Sequence, residues 1–301
     1  MSAASTTVVM SPPRTLARDI GFTEGPIWTG THVVATSITR GLLYRMTLDG
    51  GDAVAVAETG GGPNGLAHDP ATGTVWIAQN GRVHMPARAG VPDRTPGLQT
   101  WPGTGPVRTR LEVPGSAPND CVVGPDGRLW FTDPSGDPHE GEPREGSVCA
   151  FDPATGEVEV LWRTDGYPNG LAFGVDPGRL FLAETRHARV VELEHTGGRL
   201  RATGRAVTLP SGYPDGMAVA ADGHLLVAGT TSGALEVVDP ELRPAGTIDL
   251  GAGSMPTNVC FAGAGLDQVV VTLARGGRVV ALESDLRGLP ARGGLREGRS
   301  S

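Results

Sequence analysis

PNDCVVGPDGRLWFTD, at residues 118–133, is the stretch that decides the fold of this chain. A Pro-Asn-Asp opening is followed by a short apolar run, a turn with the sequence GPDGR, and a second run rich in β-forming residues. Two short strands joined by a tight turn account for this order. Related stretches stand at residues 63–78, 168–184 and 214–229. A repeated strand-turn-strand unit predicts a chain built from equivalent β units.

The phrase occurs six times along the chain, at an interval typical of a propeller blade. Successive copies are 40 to 55 residues apart, and blades of β-propellers repeat at roughly 40 to 50 residues. The first polar residue of each copy falls, in chain order, at Glu24, Asn64, Asn119, Asn169, Asp215 and Thr257. These six in-register copies favour one propeller over a two-domain β protein.

The sequence therefore predicts an all-β fold, a six-bladed β-propeller whose four-stranded antiparallel blades surround a central channel. We expect residues 1–286 to form this single domain, and residues 287–301, which show no periodicity, to form a disordered C-terminal tail. A propeller also needs a strand that closes the ring. A strand near residues 6–10 or 15–19 is expected to pair with the last blade around residues 277–282.

Composition is compatible with many short strands and tight turns. The chain of 301 residues has 46 glycines and 25 prolines, and 39% of its residues are hydrophobic, which suffices for a sizeable core. All 25 of its basic residues are arginines, which excludes chemistry that needs a lysine amine, such as a Schiff base or a Walker-type phosphate loop. The net charge of −8 argues against nucleic acid as a partner.

The cysteines and the start of the chain bear on location. Cys121, Cys149 and Cys260 have no zinc-ribbon or CxxC spacing, so we expect three small core residues. The first residues lack the apolar run of a signal peptide, and no stretch approaches the roughly 18 apolar residues of a membrane span. We expect a cytoplasmic monomer or small homo-oligomer that acts on a small molecule, without a membrane partner.

The first polar residue of each copy opens the inner strand of a blade, so the six residues should form a ring at one mouth of the channel. All six carry oxygen, and none is apolar or basic. Turn chemistry explains the Asn-Gly and Asp-Gly pairs, but Glu24 has poor turn propensity. Carboxylate and amide oxygens are the ligands of hard cations such as Ca²⁺, Mg²⁺ and Mn²⁺. We predict a divalent metal at this ring, because Glu24 and Asp215 would otherwise face each other with nothing between them.

In this topology the loop after the second strand of each blade returns to the ring. Two of these loops are long, at residues 79–105 and 134–146, and long loops over a pocket are often lids or specificity walls. His84, His139 and His187 fall on the same face, where any one of them is more often a surface or structural residue than a catalyst. No GxSxG element that would carry a serine nucleophile is present.

The ordered set of phrases resembles the SMP-30/gluconolactonase/luciferin-regenerating-enzyme family. EGPIW at 24–28, PNGLAF at 168–173 and YPDGMAV at 213–219 are among the matching stretches, and the resemblance covers nearly the whole chain. It implies a six-bladed propeller with a divalent metal in the channel. Two departures lie on the pocket face and concern the substrate: Thr36-Ser37 stands where the family often has an acidic residue, and residues 79–105 match little beyond their start.

The resemblance also implies roles for individual residues. By motif, the metal ligands are Glu24, Asn169 and Asp215, and Asn119 lies near the metal or its bound substrate. Asn64 is expected to orient the substrate. The substrate-binding residues expected on this face are, in full, Asn64, Asn119, Glu184 and His187. Oxygen ligation, the mixed carboxylate–amide set and the room for several waters favour Ca²⁺ as the metal, and the resemblance is also compatible with Zn²⁺, Mg²⁺ or Mn²⁺.

The activity implied by the resemblance is hydrolysis of a lactone or related cyclic ester. The metal would polarise the carbonyl, and Asp215 would take a proton from the attacking water. One alternative keeps the metal but assigns a biosynthetic cyclisation, dehydration or isomerisation, in which Asp215 or His187 moves a proton. Another alternative is a non-catalytic binding propeller whose metal is a structural plug. A catalytic ion keeps open coordination positions toward the mouth, whereas a structural ion is saturated by protein.

Overall fold

The computed structural model describes residues 8–82, 85 and 88–296. Within this part of the chain, 24 strands form six separate four-stranded antiparallel sheets. Each of the first five sheets is a meander of four consecutive strands. The prediction of an all-β, six-bladed propeller is confirmed.

The strands of the six blades follow the repeat. The first blade contains β2 (Thr23–Trp28), β3 (Val33–Ser37), β4 (Leu42–Met46) and β5 (Val54–Glu58); the second contains β6 (Pro63–Asp69), β7 (Thr74–Gln79), β8 (Gly97–Trp101) and β9 (Arg108–Glu112). The third contains β10 (Cys121–Val123), β11 (Leu129–Asp133), β12 (Gly146–Phe151) and β13 (Val158–Thr164); the fourth contains β14 (Pro168–Phe173), β15 (Arg179–Glu184), β16 (Arg189–Thr196) and β17 (Arg199–Thr208). The fifth contains β18 (Pro214–Val219), β19 (Leu225–Gly229), β20 (Ala234–Val238) and β21 (Pro244–Asp249); the sixth contains β22 (Pro256–Ala262), β23 (Gln268–Leu273), β24 (Arg278–Glu283) and β1 (Arg14–Ala17).

The innermost strand of each blade is the one that begins with the repeated phrase. These inner strands, β2, β6, β10, β14, β18 and β22, each contact the inner strands of the two neighbouring blades and so enclose the channel. The one helical element of the described residues is a single 3₁₀ turn at Ile38–Arg40. No helix among the described residues has the length and apolar character needed to cross a membrane.

The ring is closed by the N-terminal strand, as predicted. β1 is the outer strand of the sixth blade and pairs antiparallel with β24, with Thr15 opposite Val280. An isolated bridge between Met10 and Ser284 extends the contact toward the chain start. Because the blade joins both ends of the propeller, its hydrogen bonds hold the whole ring closed.

The core lies between adjacent blades, where the apolar faces of neighbouring sheets pack together. β19, which is buried along its whole length, consists of apolar residues and a glycine, and β23 carries an apolar run at residues 269–271. Cys121 and Cys149 are buried free thiols and Cys260 is partly buried, in agreement with three core residues. Burial raises the pKa of the Cys149 thiol to about 12, so this sulfur is an inert apolar group.

The C-terminal segment differs from the expected disordered tail over residues 287–296. Gly288 forms a bridge with Ala220, the guanidinium of Arg292 donates to the carbonyl of Gly174 at 2.9 Å, and Leu295 is buried in the core. The segment thus crosses several blades at the channel mouth opposite the ring, where Leu289 and Arg292 help to line a second cavity of about 240 Å³. Residues 297–301 lie outside the described part of the chain.

The closing strand should carry a large share of the stability. Leu16 is 2% exposed and belongs to the core between the first and sixth blades. Leu16→Ala should lower the free energy of unfolding by about 2–5 kcal/mol. Val54→Ala, on the outer strand β5 at 51% exposure, should change it by less than about 0.5 kcal/mol. Urea denaturation of both variants measures the difference; equal losses would show that β1 does not hold the ring.

Candidate active site at the channel mouth

Five of the six predicted ring residues line one cavity at the channel mouth. The cavity has a volume of about 370 Å³, within the range of small-molecule sites. Four of the five are the second residue of an inner strand, Asn119 lies two positions before β10, and all are at most 9% exposed. The structure thus brings together Glu24, Asn64, Asn119, Asn169 and Asp215.

The sixth position differs from the expectation, because Thr257 does not line the cavity. Its hydroxyl donates to the carbonyl of Thr23 on the first blade at 2.8 Å and lies 2.8 Å from the hydroxyl of Thr272. Thr36 makes a similar contact between blades, donating to the carbonyl of Asn64 at 2.9 Å. Thr257 therefore joins the last blade to the first, and Thr36 joins the first to the second.

A second tier of the channel consists of the residues that follow the ring residues. Four of them are glycine, and the other two are Asp120 and Asn258. A Cβ at Gly65 would lie 2.3 Å from the Asp120 carboxyl, and one at Gly216 would lie 2.0 Å from the Asn258 amide carbon. The two glycines therefore leave the space that the Asp120 and Asn258 side chains occupy.

The side-chain amide of Asn258 connects two buried carboxyl groups. Its oxygen accepts a hydrogen bond from the Val259 N–H at 2.8 Å. This orients the NH₂ group toward the carboxyls of Glu24 and Asp120, to both of which it donates. Neither Asp120 nor Asn258 is among the predicted site residues, although only these two copies replace the glycine that follows the ring residue.

The carboxyl groups of the site share a low-dielectric environment. Burial, together with the nearby Asp120, raises the pKa of Glu24 from 4.5 to about 8. Burial likewise raises the pKa of Asp120 from 3.8 to about 7. The pKa of Asp215 lies well above its usual range because of burial and then because of Glu24 and Asp120. A divalent cation between these groups would reverse the trend, since a nearby positive charge favours the ionised form.

Among the described residues, two buried amide oxygens at the mouth find no hydrogen-bond partner, namely Oδ1 of Asn64 and Oδ1 of Asn169. The orientation of Asn169 is defined, because its Nδ2 donates to the Thr185 hydroxyl at 3.0 Å and that hydroxyl donates to the Pro214 carbonyl at 2.7 Å. Among the described residues no three His, Cys, Asp or Glu side chains are grouped to hold a metal ion. A cation at this mouth would therefore be held by a mixed set, with amide oxygen beside the carboxylates of Glu24 and Asp215.

Glu184 and His187 do not join the other predicted site residues. The buried Glu184 carboxylate accepts hydrogen bonds from Arg189 at 2.6 Å and from the Thr164 hydroxyl at 2.5 Å, while His187 lies 3.4 Å from it. Neither residue lines the mouth cavity. The carboxylate is thus satisfied by its own blade and by the last residue of β13 in the preceding blade, an arrangement that sequence position alone does not reveal.

The loop at residues 134–145 reaches the mouth as predicted. Asp137, Pro138 and His139 line the cavity, and the His139 ring packs edge-on against Tyr213 with centroids 4.5 Å apart. Arg186, on the fourth blade, donates to main-chain carbonyls of this loop, including that of Glu140 at 2.8 Å. The loop is therefore attached to two neighbouring blades.

The other long loop is shorter than expected, because residues 97–101 form β8. Asn80 and Met85 from this connection line the mouth. Asn80 accepts a hydrogen bond from the Arg82 N–H at 2.9 Å and occupies the space above Gly62, where a Cβ would lie 2.2 Å from the amide oxygen. His84 lies outside the described residues.

A model of the SMP-30/gluconolactonase/LRE-like region matches residues 22–275, from the start of the first inner strand to the sixth blade. The chain belongs to this family. Among its relatives, the gluconolactonase of Zymomonas mobilis is 24% identical over 291 residues, which cover 84% of this chain and 76% of that enzyme. Pentonolactonase XacC of Haloferax volcanii is 31% identical over 163 residues, 52% of this chain and 53% of that protein.

Solved structures of this family share the architecture. The calcium-binding protein regucalcin of Agrobacterium tumefaciens superposes with a TM-score of 0.75 at 20% identity, and the match covers 95% of this chain and 98% of that protein. At this level of identity the likeness concerns the fold. It agrees with the six blades and the channel described above.

The raised pKa values predict an unusual pH dependence for the metal-free protein. Glu24 and Asp120 stay protonated in the folded state over a range, from about pH 5 to their pKa values of about 8 and about 7, in which the unfolded chain has released these protons. The folded state binds more protons there, so stability should fall as the pH rises, by about 1.4 kcal/mol per unit for each group.

Urea denaturation of chelator-treated protein between about pH 5 and about pH 8 measures this slope. Glu24→Gln should make the slope shallower, since it removes one of the titrating groups. Stability that is constant or rises over this range in the wild type would contradict the assignment of the buried carboxyls.

Proposed function

We propose that the protein is a divalent-metal-dependent lactonase that hydrolyses a lactone or related cyclic ester. The observation that carries the proposal is a cavity at the channel mouth with two buried carboxyls and with amide oxygens that have no partner in the described part of the chain. The activities of two relatives, a gluconolactonase and a pentonolactonase, support the same class of substrate.

The metal would be held by Glu24, Asn169 and Asp215. Carboxylate and amide oxygens suit Ca²⁺ best, and Mg²⁺, Mn²⁺ or Zn²⁺ are alternatives. When bound, the ion supplies a positive charge that polarises the lactone carbonyl and stabilises negative charge on its oxygen. The three protein ligands would leave positions for water and substrate, because Ca²⁺ prefers six to eight oxygens.

The chain's own residues would position the reactants and move the proton. Asp215 takes a proton from the attacking water while the oxygen of that water forms a bond to the carbonyl carbon. The bond between this carbon and the ring oxygen then breaks, and the proton passes to that oxygen, so the product is a hydroxy acid. Asn119, whose amide donates to the Tyr167 hydroxyl, and Asn64 lie beside the ring and would orient the substrate.

Asp215→Asn should leave the fold intact and remove nearly all lactonase activity, because an amide cannot accept the proton from water. The expected loss in kcat is at least about 100-fold, the low end for a general base. Asp222→Asn is a matched control, since Asp222 lies in the turn beyond the far end of the same inner strand, with its side chain 53% exposed. Turnover like the wild type in Asp215→Asn, measured by pH-stat, would refute the assignment.

Chelation should abolish the activity, and Ca²⁺ or another divalent ion should restore it. The melting temperature should fall on chelation at about pH 8, because the ion binds the folded state only and its removal leaves buried carboxyls unscreened. Asn169→Ala should weaken the dependence of melting temperature on Ca²⁺. Full activity in protein shown by elemental analysis to be free of metal would exclude a metal-dependent reaction.

A further inference from the structure

A second set of six residues surrounds the channel mouth outside the polar ring. The residues two positions before the ring residues are Phe22, Gly62, Ala117, Tyr167, Tyr213 and Met255. Phe22, Tyr167 and Met255 line the mouth cavity, and Tyr213 packs against His139. Large side chains thus surround the mouth on four blades, while the second and third blades carry the two small residues.

Beyond the polar ring, the cavity wall is apolar on the sixth and first blades, and the second blade adds Met85 beside the polar Asn80. Phe22 and Ile38 are neighbours, since the Ile38 N–H donates to the Phe22 carbonyl at 2.9 Å. The connection from the second blade folds against this turn, where the Arg88 N–H donates to the Thr39 carbonyl at 2.8 Å. Met85 from that connection and Met255 from the sixth blade line the same cavity.

The wall is polar on the third, fourth and fifth blades. Asp137 and His139 of the loop, with Tyr167, Thr185 and Thr230, line that side. None of the described residues that line the cavity is an arginine, and its ionisable groups are three carboxyls, the His139 imidazole and the Tyr167 phenol. A substrate with a negatively charged group would find no guanidinium among them to pair with.

We propose that the substrate is an uncharged lactone whose ring carries an apolar substituent. This inference rests on the proposed function and names the substrate class of the same site. With the lactone carbonyl at Asp215, the substituent would lie against Phe22, Ile38 and Met255. A fully hydroxylated sugar lactone would place hydroxyls on this wall, where burial without a hydrogen bond is costly.

The substrate class is testable with three lactones that share a six-membered ring. δ-Valerolactone has no substituent, δ-nonalactone adds a four-carbon chain, and D-glucono-1,5-lactone adds hydroxyls. Each methylene of the substrate that is buried on the apolar wall should raise kcat/KM about fourfold. The Ca²⁺-loaded protein should therefore hydrolyse δ-nonalactone with a kcat/KM about 50-fold or more above that of δ-valerolactone, and above that of the sugar lactone.

Substitutions of wall residues test whether the preference for δ-nonalactone arises at the apolar wall. Met255→Gln keeps the length of the side chain but adds a polar amide, and should reduce the ratio of kcat/KM for δ-nonalactone over δ-valerolactone at least about fivefold, the effect of little more than one methylene. Ile38→Asn should do the same. Met10→Gln is the matched control, because Met10 bridges to Ser284 away from the channel, and it should leave the ratio as in the wild type.

Each outcome separates this inference from the proposed function. A ratio near one, or a higher kcat/KM for the sugar lactone, would overturn the substrate class while leaving the protein a lactonase. An unchanged ratio in both wall variants would also overturn it. Absence of hydrolysis of all three lactones at millimolar concentration would refute the proposed function, and this inference with it.

Discussion

The close approach of six inner strands at one axis is the constraint on which the rest of the structure depends. At the second tier of the channel there is room for side chains on two blades only, and the other four blades have glycine there. Asp120 and Asn258 use this room, and the Asn258 amide donates to both Glu24 and Asp120. The carboxyls of Glu24 and Asp120 are therefore buried close together in the channel, and the Asn258 amide connects them.

The same topology determines what surrounds the mouth. Because the polar residue opens each inner strand, the loops after the second strands return to the mouth and bring side chains over it. The loop at residues 134–145 is attached by hydrogen bonds from Arg186 and by edge-on packing of His139 against Tyr213. The site thus combines a ring carried by the inner strands with side chains brought by individual loops.

Much of the fold followed from the repeat, because a phrase that recurs in register has one structural meaning. Five ring residues and the closing strand were predictable for that reason. Thr257 was not, because its hydroxyl has a nearer acceptor on the first blade, the Thr23 carbonyl. Glu184 likewise pairs with Arg189, and the contacts of residues 287–296 depend on surfaces of several blades. Long-range contacts of this kind leave no local periodicity in the sequence.

The most direct test of the account is a crystal structure of the protein soaked with Mn²⁺, with anomalous scattering recorded. The account places one strong anomalous peak at the channel mouth, within about 2.1–2.6 Å of oxygens of Glu24, Asn169 and Asp215. The Asn169 amide oxygen should be among its ligands. A peak elsewhere, or no peak at the mouth at saturating Mn²⁺, would contradict the central claim that the buried ring is a cation site.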